Sequence, residues 1–217
     1  MPTLAEDLLL LLLEDETGRL ITDGTSTDHA LAGAVLVDLV NAGRVADEGK
    51  KLHVMDTSTL DEPVLEAGLT RLAEKAPVKP QRAVEVLTKD IRETVLEQLA
   101  GRGLIRREKS RVLGLFPRTS WPAVDSAHED SVRAELTAAL VGGAQPSERA
   151  GTLIALLHAI NVVPKVVDGD KKTIKARAKE ISEGDWASAA MRKSVQAIQT
   201  AVTAAVIVAS TSAGSSS

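Results

Sequence analysis

The run "EDLLLLLLED" limits this chain more than any other stretch, because residues 8–13 are six consecutive leucines closed at both ends by acids. Six residues fall far short of the roughly 20 that a membrane span needs. The run therefore reads as a helix of a protein core. Thr3 followed by Glu6 forms a capping box at its start, and Thr17-Gly18 is a stop signal. Hydrophobic residues make up 44% of the chain and aromatics 1%, so the core has to be built from Leu, Val, Ile and Ala, which suit helical spacing. At 217 residues there is enough chain for one large domain or two small ones, without disulfide staples.

Helical periodicity recurs along the chain. Leu31, Val35, Leu36, Leu39 and Val40 predict a second helix capped by Asp28 and ended by Gly43. A short hairpin around Glu48-Gly49 follows, then a third helix over 61–75 and a fourth over 81–100. "LVNAGRV" and "LAGRGLI" align without gaps, which predicts a pseudo-repeat of helix, glycine stop and hairpin. Helices are also predicted over 125–140, from Pro146 through Ile160, over 171–183, and from Asp185 through Val206. The helix after Pro146 has few polar faces and is expected at the centre of the bundle. The fold class is thus mainly α: a helical bundle around a central apolar helix, ringed by amphipathic helices and short β-hairpins. Residues 1–208 form one domain in this reading, and 209–217 a disordered Ser-rich tail.

Most chemistry is excluded by what is missing. There is no Cys, so disulfides, thiolate metal sites and cysteine nucleophiles are out, and a reducing compartment is compatible. His29, His53, His128 and His158 never pair at metal-ligand spacing, and "DGDKKT" lacks the twelfth-position Glu of a calcium loop. No phosphate loop, nucleophile elbow or dinucleotide turn occurs. Nothing argues for an enzyme, a metal or a cofactor. No cationic region precedes the leucine run, which does not read as a secretory signal.

One element stands apart. Residues 106–118 carry five basic side chains against one acid, Glu108, in a chain of formal net charge −4, and they include its only Phe, Phe116. As a hairpin with Lys109-Ser110 at the turn, alternation sends Val112, Gly114 and Phe116 to one face and Leu113 and Leu115 to the other. Apolar groups then appear on both faces, collared by Arg111 and its neighbours. An anionic bilayer and a partner chain both suit such a tip. Upstream, Lys89 and Arg92 are three apart on the fourth helix and share a face that can grip a phosphate, Arg as a fork and Lys as a point charge. The same region also reads as a recognition helix and wing, the rival being a winged-helix-like nucleic-acid-binding protein. Glu85, Asp90, Glu93 and Glu97 would repel phosphates and make nucleic acid an unlikely partner.

"LAEDLLLLLLEDETGRL", "ALAGAVLVDLVNAGRV", "IRETVLEQLAGRGLIRREKSRVLGLFP" and "TLIALLHAINVV" occur in the order seen in the Golgi phosphoprotein 3 family, which the chain resembles to about Val208. The resemblance implies a mostly helical fold. Eukaryotic members are peripheral membrane proteins that bind phosphatidylinositol 4-phosphate and link Golgi glycosyltransferases to vesicle coats. By position, their hairpin falls on 108–116 and their basic pair on Lys89 and Arg92. Their pocket also uses a Trp after the first helix and an Arg at the start of the second, where this chain has Asp23, or its neighbours, and Ala32. The compact Ala, Val and Leu-rich sequence suggests a bacterial member. The expected function is a cytoplasmic adaptor, peripheral on the inner face of a membrane. Lys89, Arg92 and Arg111 would meet an anionic, phosphoinositide-like lipid, and Val112, Leu113, Leu115 and Phe116 would insert. A protein cargo and a homo-oligomer through the hairpin are the other partners expected.

Overall fold

The computed structural model describes residues 2–48, 50–112, 116–184, 186 and 189–214. Helix α1, Leu4–Leu11, starts at the expected capping box: the Thr3 hydroxyl accepts from the Glu6 amide at 3.2 Å and Glu6 accepts from the Thr3 amide at 2.7 Å. Its eight residues are all buried, including Glu6 and Asp7. It stops at Leu11, short of the expected Thr17-Gly18. Leu13 instead pairs across to Leu20, and Gly18 turns the loop at φ +59°.

Helix α2, Gly24–Asn41, begins a turn before the expected cap. Asp23 is the N-cap, because its carboxylate accepts from the Ser26 amide at 2.7 Å; Asp28 lies inside the helix. The strands β1, Val45–Glu48, and β2, Lys51–Val54, form the first hairpin, with Gly49 of its expected turn outside the described residues. Next come α3, Pro63–Ala73, α4, Pro80–Leu87, and α5, Ile91–Gly101. The single fourth helix expected over 81–100 is therefore two, broken where Asp90 adopts φ +55°. Asp is among the few residues that tolerate this left-handed conformation, and no Gly or Pro announced it.

After β3, Glu108–Val112, and β4, Phe116–Ser120, the chain is helical: α6, Ala127–Leu140, α7, Glu148–Ala159, α8, Val163–Val166, α9, Lys171–Glu183, and α10, Ala189–Gly214. Asp185, the expected cap of α10, lies outside the described residues. The helix itself continues past Val208 into the segment expected to be disordered. There the Ser210 hydroxyl donates to the Ile207 carbonyl at 2.8 Å and Thr211 to Val208 at 2.9 Å, so the hydroxyls are absorbed by the helix.

The pseudo-repeat is real at the level of backbone hydrogen bonds. Gly43 and Gly103, at φ +68° and +75°, end α2 and α5. In the first copy the Arg44 amide donates to Leu39 and Gly43 to Val40; in the second Leu104 donates to Leu99 and Gly103 to Ala100. Both are the six-to-one and five-to-two bonds of a glycine-terminated helix.

Helix α2 holds the centre, packed against α1, α3, α4, α5, α7 and α10. The helix expected there, α7, shares that position, packed against α1, α2, α6, α8, α9 and α10 with Leu153, Ile154, Leu156 and Leu157 buried. Small residues explain the order. A Cβ on Gly33 of α2 would come within 2.8 Å of Val202 and 3.0 Å of Leu156, so α7 and α10 both approach at a point that admits no side chain. Among the described residues α10 alone is long and apolar enough, by length and composition, to cross a membrane over Arg192–Thr211. One face of it, from Val195 and Ile198 to Ala201, Val202 and Ala205, is buried in this bundle.

The carboxylates of α1 bind it to its neighbours. Asp7 accepts from Arg149 Nε of α7 at 2.6 Å and lies 2.7 Å from His128 Nε2 of α6. Glu6 accepts from Arg102 Nε at 2.6 Å, just beyond α5. Breaking a buried pair strands the other charge, although Arg149 keeps a third of its exposure. Asp7→Ala should cost about 3 kcal/mol, lowering Tm by roughly 6–12 °C in thermal unfolding followed by circular dichroism.

Asp38 of α2 accepts from the Leu4 amide at 2.8 Å. Burial pushes its carboxyl up to about 6, against the opposing effects of that amide and of Arg149. Because the folded value exceeds the unfolded one, the neutral form contributes stability that is complete below pH 3.8 and is lost as pH rises through about 6. From pH 7 to pH 4, urea unfolding should show the native chain gaining about 2 kcal/mol relative to Asp38→Asn.

Candidate anion site and basic hairpin

The break at Asp90 rearranges the expected basic pair. Lys89 and Arg92 do not share one helical face: Lys89 is exposed in the turn before α5, and Arg92 is in the first turn of α5. The turn is held by Arg71 of α3, which donates to the Lys89 carbonyl and sits 3.6 Å from the Asp90 carboxylate. Arg71 is a third cation at this place, and no spacing in the sequence links it to the other two. The Lys89 side chain has no ion-pair partner among the described residues.

Arg92 reaches across to α2. Its guanidinium occupies the space a Cβ on Gly24 would need, with Nη1 2.4 Å from that position. Its Nε lies 3.4 Å from Oδ1 of Asp28, too poorly aligned for a hydrogen bond, so Oδ1 has an ionic neighbour but no donor. The amino ends of α2 and α5 thus meet at Arg92, and both helix dipoles add positive potential there. Asp23 and Asp28 oppose it. Burial raises the Asp23 carboxyl, but the bonds from Ser26 outweigh this and hold it below its ordinary value. Burial dominates at Asp28 and raises it, with Arg92 pulling the other way. Ala32, at the position the resemblance pairs with an Arg, is fully buried. Lys89 and the part of Arg92 not engaged by Asp28 are the cations this place presents.

The hairpin register also differs from expectation. The pairs Glu108↔Ser120, Lys109↔Thr119, Ser110↔Arg118, Arg111↔Pro117 and Val112↔Phe116 place the connection at 113–115 instead of Lys109-Ser110. Pro117 lacks an amide to donate, which a two-stranded ribbon tolerates because each strand is an edge. Leu113, Gly114 and Leu115 lie outside the described residues. Arg111, Val112 and Phe116 are described in their backbone pairing alone.

The base of the ribbon is firmly set. Ile105 bridges to Ala123, Ile105 and Trp121 are buried, and the Trp121 backbone crosses Gly18 so closely that a Cβ there would lie 2.1 Å from its carbonyl carbon. The Ala123 amide donates to Asp15 at 2.9 Å, and the Arg107 guanidinium sits 5.3 Å from the centre of the Trp121 ring. Above this base Arg106, Arg107, Glu108, Lys109 and Thr119 are exposed, and among the described residues β3 pairs only with β4.

Fold and site together define an α-helical bundle protein that carries a rooted basic hairpin and a separate cation cluster where two helices begin. The family described as Golgi phosphoprotein 3 (GPP34) matches residues 4–198, and the chain belongs to it. It is similar to Vacuolar protein sorting-associated protein 74 of Eremothecium gossypii, 24% identical over 163 residues that cover 64% of this chain and 49% of that protein. The chain thus spans about half the length of that relative.

The Arg92–Asp28 pair has a direct test. Removing the cation while the burial stays should raise the Asp28 carboxyl further. Arg92→Gln is expected to shift its titration midpoint upward in side-chain carboxyl carbon resonances followed against pH. An unmoved midpoint would show that the two groups do not interact.

Proposed function

We propose that this chain is a cytoplasmic, non-enzymatic adaptor that binds reversibly to the inner face of a membrane. Headgroup phosphate is met by Lys89, Arg92 and Arg111, while Val112, Leu113, Leu115 and Phe116 enter the acyl region. The observation that carries this reading is the ribbon: a self-paired hairpin, anchored at Trp121 and Ile105, with Arg106, Arg107 and Lys109 exposed along its first arm and a connection whose sequence is Leu-Gly-Leu. Membership of the Golgi phosphoprotein 3 family supports it.

Charge density is the feature recognised, with phosphoinositides as one member of the class. Asp23 is spent as a helix cap and Ala32 is in the core, so neither assists in selecting a particular inositol phosphate. Each apolar side chain would contribute roughly 1.5–3 kcal/mol if fully buried, and each cation about 1 kcal/mol at an anionic surface. Partial insertion makes one copy a weak binder, reinforced by a protein cargo or by a second copy. Nucleic acid is disfavoured by α5 itself, whose exposed residues include Glu93 and Glu97.

Vesicle co-sedimentation tests the reading. Binding should require phosphatidylserine or a phosphoinositide and weaken as salt rises. The pair Lys89→Ala with Arg92→Ala, and separately Leu113→Ser with Phe116→Ser, should each weaken it by roughly tenfold or more. Binding that is indifferent to both pairs, or that proceeds equally on phosphatidylcholine, would refute the proposal.

A further inference from the structure

The far end of α10 takes no part in the site above, and the family match ends at residue 198, before it. After Lys193 the sequence has no ionisable side chain through Gly214. The buried stripe of the helix ends at Ala205; Ile207 and Val208, two residues on, are each 56% exposed. Two of the polar groups here, Ser210 and Thr211, are already satisfied. Ser210 donates to the Ile207 carbonyl at 2.8 Å, and Thr211 lies 2.9 Å and 3.2 Å from the Val208 and Ile207 carbonyls. A hydroxyl turned back on its own helix backbone costs less to bring toward the acyl region than one bonded to water.

Its position decides what it meets. Val206, Ala209 and Ser210 line a cleft together with Asp23, Thr25 and Ser26, the first turn of α2. Arg92 lies against that same turn at Gly24. On its other side Ile207 borders a cleft of about 490 Å³ that includes His158 of α7 and Lys179 and Glu183 of α9. The uncharged, partly exposed helix end therefore lies between Lys179 with Glu183 on one side and Asp23, with Arg92 behind that turn, on the other.

We infer that the last two turns of α10, centred on Ile207 and Val208, are a second membrane-inserting element, entering the acyl region of the same bilayer whose phosphates meet Arg92. This rests on the membrane reading proposed above. A bilayer suits the surface better than a protein partner does, because protein interfaces are rimmed by charged and polar side chains and anchored by aromatic or Arg residues, and 194–214 offers neither charge nor aromatic. Two elements inserted together bind more tightly than either alone and fix how the bundle sits on the surface.

The absence of cysteine makes the test clean. Ile207→Cys, Leu113→Cys and Ala134→Cys, the last exposed on α6, each accept one environment-sensitive fluorophore. The labelled proteins are mixed with phosphatidylserine–phosphatidylcholine vesicles with or without brominated acyl chains. The label at 207 should shift to the blue and be quenched by bromine, and the label at 134 should do neither. Ile207→Ser with Val208→Ser, both at exposed positions, should weaken vesicle partitioning roughly five- to tenfold while thermal unfolding stays unchanged. Quenching at 113 without quenching at 207 overturns this inference and leaves the proposed function standing, as does native partitioning of the double serine variant. Quenching at 207 but not at 113 supports it and removes the hairpin from the membrane contact. A protein that binds no anionic vesicle overturns both.

Discussion

The rest of the bundle depends on charges buried in its most apolar helix. Glu6 and Asp7 are fully enclosed, an arrangement that costs several kcal/mol per ion unless each is paired. Arg102, Arg149 and His128 supply the pairing from three directions: the end of α5, the start of α7 and the start of α6. A leucine helix alone could rotate or slide against aliphatic neighbours at little cost. These bonds specify one orientation, and with it where α5 ends and the second hairpin begins.

Where α5 begins is settled by different means. The Asp90 break separates Lys89 from Arg92 by a change of direction, and Arg71 holds that turn from α3. The outcome is asymmetric. Lys89 is exposed without an ion-pair partner among the described residues, while Arg92 is drawn onto α2 and shares its charge with Asp28. An anion arriving there would compete with a half-buried carboxylate that burial already pushes toward its neutral form.

The ribbon and the end of α10 have a common logic. Each is fixed to the bundle at one end, by Trp121 and Ile105 or by Val202 and Ala205, and α10 then exposes Ile207 and Val208 past its last buried contact. Binding elements of this kind need a rigid base, since ordering a loose one would consume the free energy its insertion releases.

Much of this was legible without coordinates. The capping box at Thr3, the glycine stops at Gly43 and Gly103 and the bounds of α9 are local hydrogen-bond chemistry, written in neighbouring residues. The helical class followed from aliphatic periodicity, and the basic hairpin from its composition, although its turn fell four residues later than alternation suggested. What the sequence could not decide were choices between partners distant in the chain. Asp28 was the expected cap, yet Asp23 takes that role and the Asp28 carboxylate faces Arg92. The helix over 81–100 broke because Arg71, far upstream, stabilised an irregular turn. That α2 shares the centre with α7 follows from Gly33, which lets α7 and α10 close on one point of it. Local propensity is determined by the chain within a few residues; the pairing of buried charge and the fit of side chain into gap exist only once the elements meet.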